Sequence, residues 1–222
     1  MARTFRGSER AAAKALAELV VEAEAGKFDT TTLTVGQLLD KWLEHGETSQ
    51  RPRTLYENRR KVEARIRPTL GHVRLSKLAR DPGLLDEAYR RWLDDGLSPA
   101  TVHKFHSILS AAFRFAVKRG YLAQAPTARA TPPVVRRPDL VVPTPEQLTK
   151  LIKAAEGDDP VFGSAIALAA LTGARRGELV ALRWSDVDLR RGTVRIARSL
   201  TVTGGEQHTG PTKTHAAREL AL

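Results

Sequence analysis

The stretch APTARATPPVVRRPDLVVPTP, residues 125–145, limits most strongly what this chain can fold into. Pro126, Pro132, Pro133, Pro138, Pro143 and Pro145 each lack a backbone N–H and hold φ at about −65°, so no helix interior or central strand can run through them. Proline-dense backbone is extended and stiff, which reads as a linker over 126–143 between two separately folded parts. A chain of 222 residues is long enough to bury a core on either side. The expected organisation is an N-terminal helix within 1–30, a helical domain over 31–125, the linker, and a second domain over 144–222.

Local signals fill in both parts. Residues 8–25 read as one helix, with Ser8 as cap, a narrow stripe of Leu16, Leu19 and Val20, and Gly26 as terminator. It has too little apolar surface to form a core, so it is a leader that packs on something else or an exposed arm. Thr34 and Gln37 fit a capping box, followed by Val35, Leu38, Leu39 and Trp42 at helical spacing. Thr54 and Glu57 fit a second box, predicting a helix to about Arg67 with Pro68 just beyond. A shorter helix is expected from about Leu84 to Asp95, ending at Gly96. Ser98 and Pro99 then open the longest one, through Arg119 to Gly120. Four helices with short connections describe a compact all-helical domain.

Beyond the linker, Thr144, Pro145 and Gln147 form another box, with Leu148, Leu151, Ile152 and Ala155 as the core stripe of its helix. Residues 160–172 are almost wholly apolar, which predicts a helix buried on most sides. GTVRIARSLTV and ARELAL alternate like strands, with Gly204-Gly205 and Gly210-Pro211 between them. The fold class is therefore mainly α, with an α+β second domain built on a small antiparallel sheet.

Charge narrows the partner. Lys and Arg number 36 against 25 Asp and Glu, a net charge of +11, which points to a polyanion, most often nucleic acid, or to a generally basic surface. Residues 51–67 carry Arg51, Arg53, Arg59, Arg60, Lys61, Arg65 and Arg67 against only Glu57 and Glu63. On the longest helix, Val102, Phe105, Leu109, Ala112 and Ala116 point one way. Lys104, Ser107, Ala111, Arg114 and Lys118 recur on another face, which suits a groove or a phosphate backbone. Candidate DNA contacts are Arg51, Arg53, Thr54, Arg59, Arg60, Lys104, Arg114 and Lys118. In the linker, Arg136 and Arg137 are either phosphate contacts or solvated charges. Aromatic residues make up only 5% of the chain, so the stacking platforms of an RNA-binding protein are not expected.

Other chemistries are excluded. With no cysteine there is no disulfide, thiolate zinc site or thiol nucleophile. Of the six histidines only His103 and His106 fall at helical spacing, without nearby carboxylates, so neither a metal nor another cofactor is expected. Lys14, Glu18, Glu22 and Glu24 interrupt any apolar region near the start, and no stretch approaches the roughly 20 apolar residues that span a bilayer. No membrane partner is expected, and the expected place of action is the cytoplasm.

LTGARRGELVALRWSDVD, residues 171–188, carries the candidate chemistry. An apolar helix ends at Thr172-Gly173, and Arg175-Arg176-Gly177-Glu178 opens the next, expected over Leu179 to Trp184. A guanidinium fixed at such a junction can bind two phosphate oxygens in a fork that lysine cannot reproduce. Glu178 at a helix start can orient an arginine. An ordinary surface ion pair would have the same spacing.

TGARRGELVALRWSDVD closely resembles the first arginine box of tyrosine recombinases of the phage-integrase type. GLSPATVHKFHSILSAAFRFAVKRGYL also resembles the corresponding helix of that family's core-binding domain. The resemblance covers about residues 31–222. It implies a helical, SAM-like core-binding domain followed by the first part of a catalytic domain, and site-specific DNA recombination of the phage integration and excision kind. It further implies that Arg175 is the first catalytic arginine and places Arg176 at a variable position, where it is either a surface residue or a contact to the DNA backbone. Glu178 and Asp186 would brace the site. GPTKTHAARELAL resembles the β-hairpin that delivers the catalytic lysine, Lys213. In that family a tyrosine attacks a DNA phosphodiester, leaving a 3′-phosphotyrosine and a free 5′-hydroxyl, while arginines stabilise the transition state. No cofactor is implied. The implied partners are the duplex core of an attachment site, three further protomers in a homotetramer, and accessory host or directionality factors.

The match has gaps. The family's second arginine box and its nucleophilic tyrosine follow the lysine hairpin, whereas Tyr56, Tyr89 and Tyr121 all precede Arg175. His215 and Arg218 carry the letters of a His-x-x-Arg box but follow Lys213 too closely and lie in a strand-like arm. The 222-residue chain is accordingly expected to be catalytically incomplete, with no nucleophile, and monomeric. Residues 5–26 resemble only the closing helix of an arm-type DNA-binding domain. The competing reading is a non-catalytic duplex-DNA-binding protein or regulator with a recombinase-like body.

Overall fold

The computed structural model describes residues 8–24, 31–136, 139–212 and 217–222. It forms two compact units, Met1–Arg137 and Pro138–Leu222.

In the first unit, α1 (Glu9–Glu24) leaves Leu16 and Val20 exposed. α2 (Val35–Ser49) begins with the expected box: Gln37 N–H donates to Thr34 Oγ1 at 3.3 Å, and Thr34 N–H donates to Gln37 Oε1 at 2.9 Å. The next helix departs from the expectation. It starts at Pro52, two residues ahead of Thr54, and continues past Pro68 as α3 (Pro52–Lys61), a wide turn at Val62–Ile66, and α4 (Arg67–Leu70). Pro52 needs no N–H partner in the first turn, which explains the early start. In the wide turn Arg67 N–H reaches back to Val62 O, and this shift in hydrogen bonding just before Pro68 lets the helix carry a proline.

A short helix that the sequence does not announce, α5 (Leu75–Arg80), follows. It is held by Leu75 N–H on Leu33 O at 2.9 Å and by burial of Leu75 and Leu78. α6 (Gly83–Asp94) and α7 (Pro99–Lys118) match the expected helices, with Ser98 capping the latter through Thr101 N–H. The core gathers Leu38, Leu39, Ile66, Leu78, Leu85, Trp92, Leu109 and Phe113, all essentially without exposure. Burying each such side chain contributes about 1.5–3 kcal/mol. The Trp92 indole sits edge-on to Phe105 at 5.0 Å and donates to Thr69 Oγ1 at 3.0 Å.

The proline-rich stretch begins packed on this unit. Pro126–Arg129 forms one tight helical turn with Pro126 and Thr127 buried; the Arg129 guanidinium donates to Ala79 O, and Thr131 N–H to Asp86 Oδ1 at 2.7 Å. The segment read as linker from residue 126 is thus, over its first residues, part of the helical unit.

In the second unit, α8 (Pro145–Asp158) starts with the expected Thr144–Gln147 box. Its stripe is only partly covered: Ala155 is buried, but Leu151 is half exposed. α9 (Pro160–Thr172) also departs from the expected burial. Gly163 is buried, while Val161, Phe162 and Leu171 face outward. Its close contact is with α8 at Gly163, where a Cβ would lie 2.3 Å from Glu156 Cγ, and one covered side leaves the others open.

α10 (Arg176–Val180) is shorter than expected and is followed by a separate turn at Trp184–Asp186. β1 (Val187–Asp188), β2 (Thr193–Ile196) and β5 (Arg218–Ala221) form an antiparallel sheet in the order β1-β2-β5, with Val194 opposite Leu220 and Ile196 opposite Arg218. β3 (Arg198–Thr203) and β4 (Glu206–Pro211) form a separate hairpin closed by Gly204-Gly205. The small core of this unit is Ala174, Val194 and Ile196, with Leu179, Leu182, Val187 and Leu220 against it.

Candidate active site

Gly173 ends α9 with φ of +62°, a left-handed conformation that costs a residue with a Cβ about 1 kcal/mol or more. Ala174 is buried in the small core, so the chain turns outward at a fixed point. Arg175 follows as the residue that starts α10, in extended backbone. Gly177 lets α10 lie directly on β3: a Cβ there would be 2.6 Å from Leu200 O and 2.7 Å from Ser199 Oγ.

Glu178 is the centre of the arrangement. Its side chain is 1% exposed, yet it is charged. Its Oε2 accepts from Arg175 N–H at 2.9 Å and from Arg218 Nη2 at 2.6 Å, while Oε1 accepts from Arg175 Nη1 at 3.1 Å and Arg218 Nη1 at 3.2 Å. The two guanidiniums, with Arg218 first, hold the Glu178 carboxyl down to about 2 against the opposing effect of burial. Arg175 grips the carboxylate with one terminal nitrogen only, and its side chain remains 60% exposed. Arg176 is exposed beside it.

Asp186 braces the next turn. It accepts from Arg183 N–H at 3.0 Å and pairs with the guanidinium of Arg198 at the start of β3. Lys213 and His215 lie outside the described residues, as does Arg137. The last residue before that interval, Thr212, is buried, and the first strand residue after it is Arg218.

The sequence reading missed Arg218, whose letters belonged only to a rejected His-x-x-Arg match. A signal was present. Strand alternation puts Arg218 on the same side as Leu220, which packs into the small core, and an inward cation there needs a buried anion.

In the first unit the candidate DNA contacts are all exposed on or beside α3 and α7: Arg51, Arg53, Thr54, Arg59, Arg60, Lys104, Arg114 and Lys118. Asn58 and Lys61 of α3 line one groove with Lys104, Ser107, Ile108 and Ala111 of α7 and with Trp42. Three cations of this region are already paired, Arg59 with Glu47, Lys61 with Glu57, and Arg67 with Asp40 and Glu63. Arg53, Arg60, Lys104, Arg114 and Lys118 have no ion pair among the described residues. Arg136 is exposed in the proline-rich stretch. Among the described residues there is no cluster of potential metal ligands, and no helix is long and apolar enough to cross a membrane.

Two family descriptions match the chain: the phage integrase family over residues 142–221, and the phage integrase N-terminal SAM-like domain over 34–81. An integrase of Saccharopolyspora erythraea is 32% identical over 73% of this chain and 38% of its own length. The prophage integrase IntR of Escherichia coli is 27% identical over 82% of this chain and 46% of its own. The chain thus spans less than half the length of these curated relatives. A Tn1549 transposon integrase, solved in complex with a circular intermediate DNA, superposes with a TM-score of 0.72 at 22% identity, over 86% of this chain and 61% of that one. A lambda integrase dimer bound to a COC′ core site gives 0.60 at 24% identity, over 89% and 52%. Both likenesses concern the fold. The helical SAM-like unit, the α+β unit that follows it in the sequence and the arginine box together place the chain in the phage integrase family of tyrosine recombinases.

Proposed function

We propose that the protein to which this chain belongs performs site-specific DNA recombination by cleaving a strand through a 3′-phosphotyrosine and rejoining it. The observation that carries this reading is Arg175: anchored at one nitrogen to a buried carboxylate, it presents the rest of its guanidinium outward from a fixed backbone position. Such a group meets a phosphodiester without reorganising, so its hydrogen bonds strengthen where charge develops on the phosphorane-like transition state. A tyrosine oxygen forms the bond to phosphorus as the bond to the 5′ oxygen breaks, and Lys213 supplies the proton to that leaving oxygen. No metal or external energy source is needed, because the phosphotyrosine keeps the diester energy for rejoining.

The nucleophile is none of the chain's own tyrosines. Tyr89 is buried with its hydroxyl 2.8 Å from His106 Nδ1, and burial pushes its ionisation well up. Tyr56 and Tyr121 also belong to the helical unit. The first unit holds the duplex through the faces of α3 and α7, with Arg53, Thr54, Arg60, Lys104, Arg114 and Lys118 toward the backbone or groove. Arg51, Arg59, Arg136, Arg137 and Arg176 add further phosphate contacts. The complete protein works as a tetramer on DNA in the bacterial cytoplasm, with accessory or directionality factors, whereas the 222-residue chain is monomeric.

Two experiments test this. The 222-residue chain should bind duplex DNA with strong salt dependence and form no denaturation-resistant adduct on a nicked suicide substrate; such an adduct would refute the assignment of the nucleophile. In the complete protein, Arg175→Ala or Lys213→Ala should abolish adduct formation while leaving binding largely intact. Retained strand exchange would sink the catalytic reading and favour a non-catalytic DNA-binding role.

A further inference from the structure

We propose that Arg218 is a positioning residue: by occupying one acceptor site on each oxygen of Glu178, it keeps Arg175 in a one-point grip with its remaining donors turned outward. The inference rests on the reading of Arg175 as a phosphate ligand.

The geometry is a division of one carboxylate between two guanidiniums. Arg218 takes Glu178 as a fork, with Nη2 on Oε2 at 2.6 Å and Nη1 on Oε1 at 3.2 Å. Arg175 is left one side-chain contact, Nη1 on Oε1 at 3.1 Å, beside its own backbone N–H on Oε2. A carboxylate offers about four acceptor directions, and these four hydrogen bonds fill them. Both terminal nitrogens of Arg218 face Glu178, so Arg218 is ill placed to be a phosphate ligand itself, whereas Nε and Nη2 of Arg175 have no hydrogen-bond partner to displace among the described residues.

Without Arg218, a carboxylate that is 1% exposed loses two charge-assisted hydrogen bonds. An unmet buried carboxylate draws in whatever donor can reach it. The nearest is Arg175, three residues away and already in contact. Its guanidinium would rotate to fork onto Glu178, and the donors now turned outward would turn in. Arg218 therefore acts across forty residues of chain by saturating the anion, without touching the phosphate.

This differs from a scaffold role in one way that can be measured. If Arg218 works by satisfying Glu178, removing the charge of Glu178 should repair its loss; if it only holds β5 in place, that second change should make matters worse. The probe is inorganic phosphate, titrated into the 15N-labelled 222-residue chain while the side-chain Nε–H signal of Arg175 is followed. The amide signals of Val194 and Ile196 in β2 report whether the sheet beside β5 persists. In the wild-type chain the Arg175 signal moves with phosphate. Arg218→Ala should weaken that response about tenfold, as expected for redirecting charge-assisted hydrogen bonds. Arg218→Lys should restore it only in part, because an ammonium cannot fork. Glu178→Gln on top of Arg218→Ala should bring the response back toward wild type. An Arg218→Ala chain that responds like wild type, or a double variant as weak as Arg218→Ala, overturns the inference alone. A wild-type Arg175 signal indifferent to phosphate overturns the phosphate reading as well.

Discussion

The two units are held together by different kinds of centre. The first closes on large apolar side chains, with Leu38, Leu39, Ile66, Trp92 and Phe113 all but removed from solvent. Among the described residues of the second, the fully buried side chains are few, and the largest besides Ile196 is the charged Glu178. An apolar core is non-directional and tolerates changes on its surface, so the first unit can vary its cationic face without disturbing its interior. A buried carboxylate is directional and demands every partner, so in the second unit the residue that stabilises the local structure is also the one that holds Arg175, the proposed phosphate ligand. On the proposed reading, stability and function are separable in one unit and coupled in the other.

The contrast is most severely tested at the first core. Trp92→Ala removes a side chain that is 1% exposed, together with its hydrogen bond to Thr69. It should cost about 3–5 kcal/mol in chemical denaturation of the helical unit. A loss below about 1 kcal/mol would mean that apolar packing is not what holds this unit.

The second core should fail by a different route, in acid. The Glu178 carboxyl lies at about 2 rather than its ordinary 4.5. A depressed acid adds stability above the ordinary value and loses it as pH falls toward the folded one. Between about pH 4.5 and 2 the second unit should therefore lose on the order of 2 kcal/mol, a figure reduced because Arg175 is more than half exposed and partly screened. Hydrogen exchange should show β2 and β5 opening across that window while the centre of α7 stays protected. Glu178→Gln should flatten the dependence. Equal acid sensitivity of the two units would erase the distinction.

The same contrast explains what could be read from the sequence. Thr34–Gln37, Thr144–Gln147 and Ser98-Pro99 act within four residues, and the structure keeps each as a cap. The inward face of α7 was legible because a helix of twenty residues repeats its pattern several times. Six residues repeat nothing, so α5 leaves no readable pattern in the sequence. Pro68 reads as a stop because its accommodation depends on a change of hydrogen-bond register one turn earlier, which no residue type announces. Apolar composition predicts that α9 can be buried but not which side is covered, and here the contact runs through Gly163. The arginine box was legible as a motif, but the partner of its glutamate lies forty positions on, in another element. Local chemistry is written locally, whereas the pairing that organises the site is a product of the fold.

The smallest effect concerns the surface of the first unit, where neighbouring arginines should not behave alike. Arg59 and Arg60 are both exposed on α3, but Arg59 Nη2 sits 2.9 Å from Glu47 Oε1, and Arg60 has no ion pair among the described residues. An exposed pair of this kind is worth roughly 0.2–1 kcal/mol, so Arg59→Ala should lower stability by at most that amount, and Arg60→Ala by less. Toward duplex DNA the order should reverse. Each phosphate neutralised contributes about 0.9 to the slope of log affinity against log salt. Arg60→Ala should remove close to one such contribution, as should Lys104→Ala or Arg114→Ala. Arg59→Ala should remove only part of one, since its charge is already shared with a carboxylate that a phosphate must displace. Salt titrations of DNA binding with the four single variants decide the matter. Equal slopes for Arg59→Ala and Arg60→Ala would show that the ion pair dissolves on binding; a smaller change for Arg59→Ala would show that this unit's surface is sorted into cations that hold the fold and cations that hold the duplex.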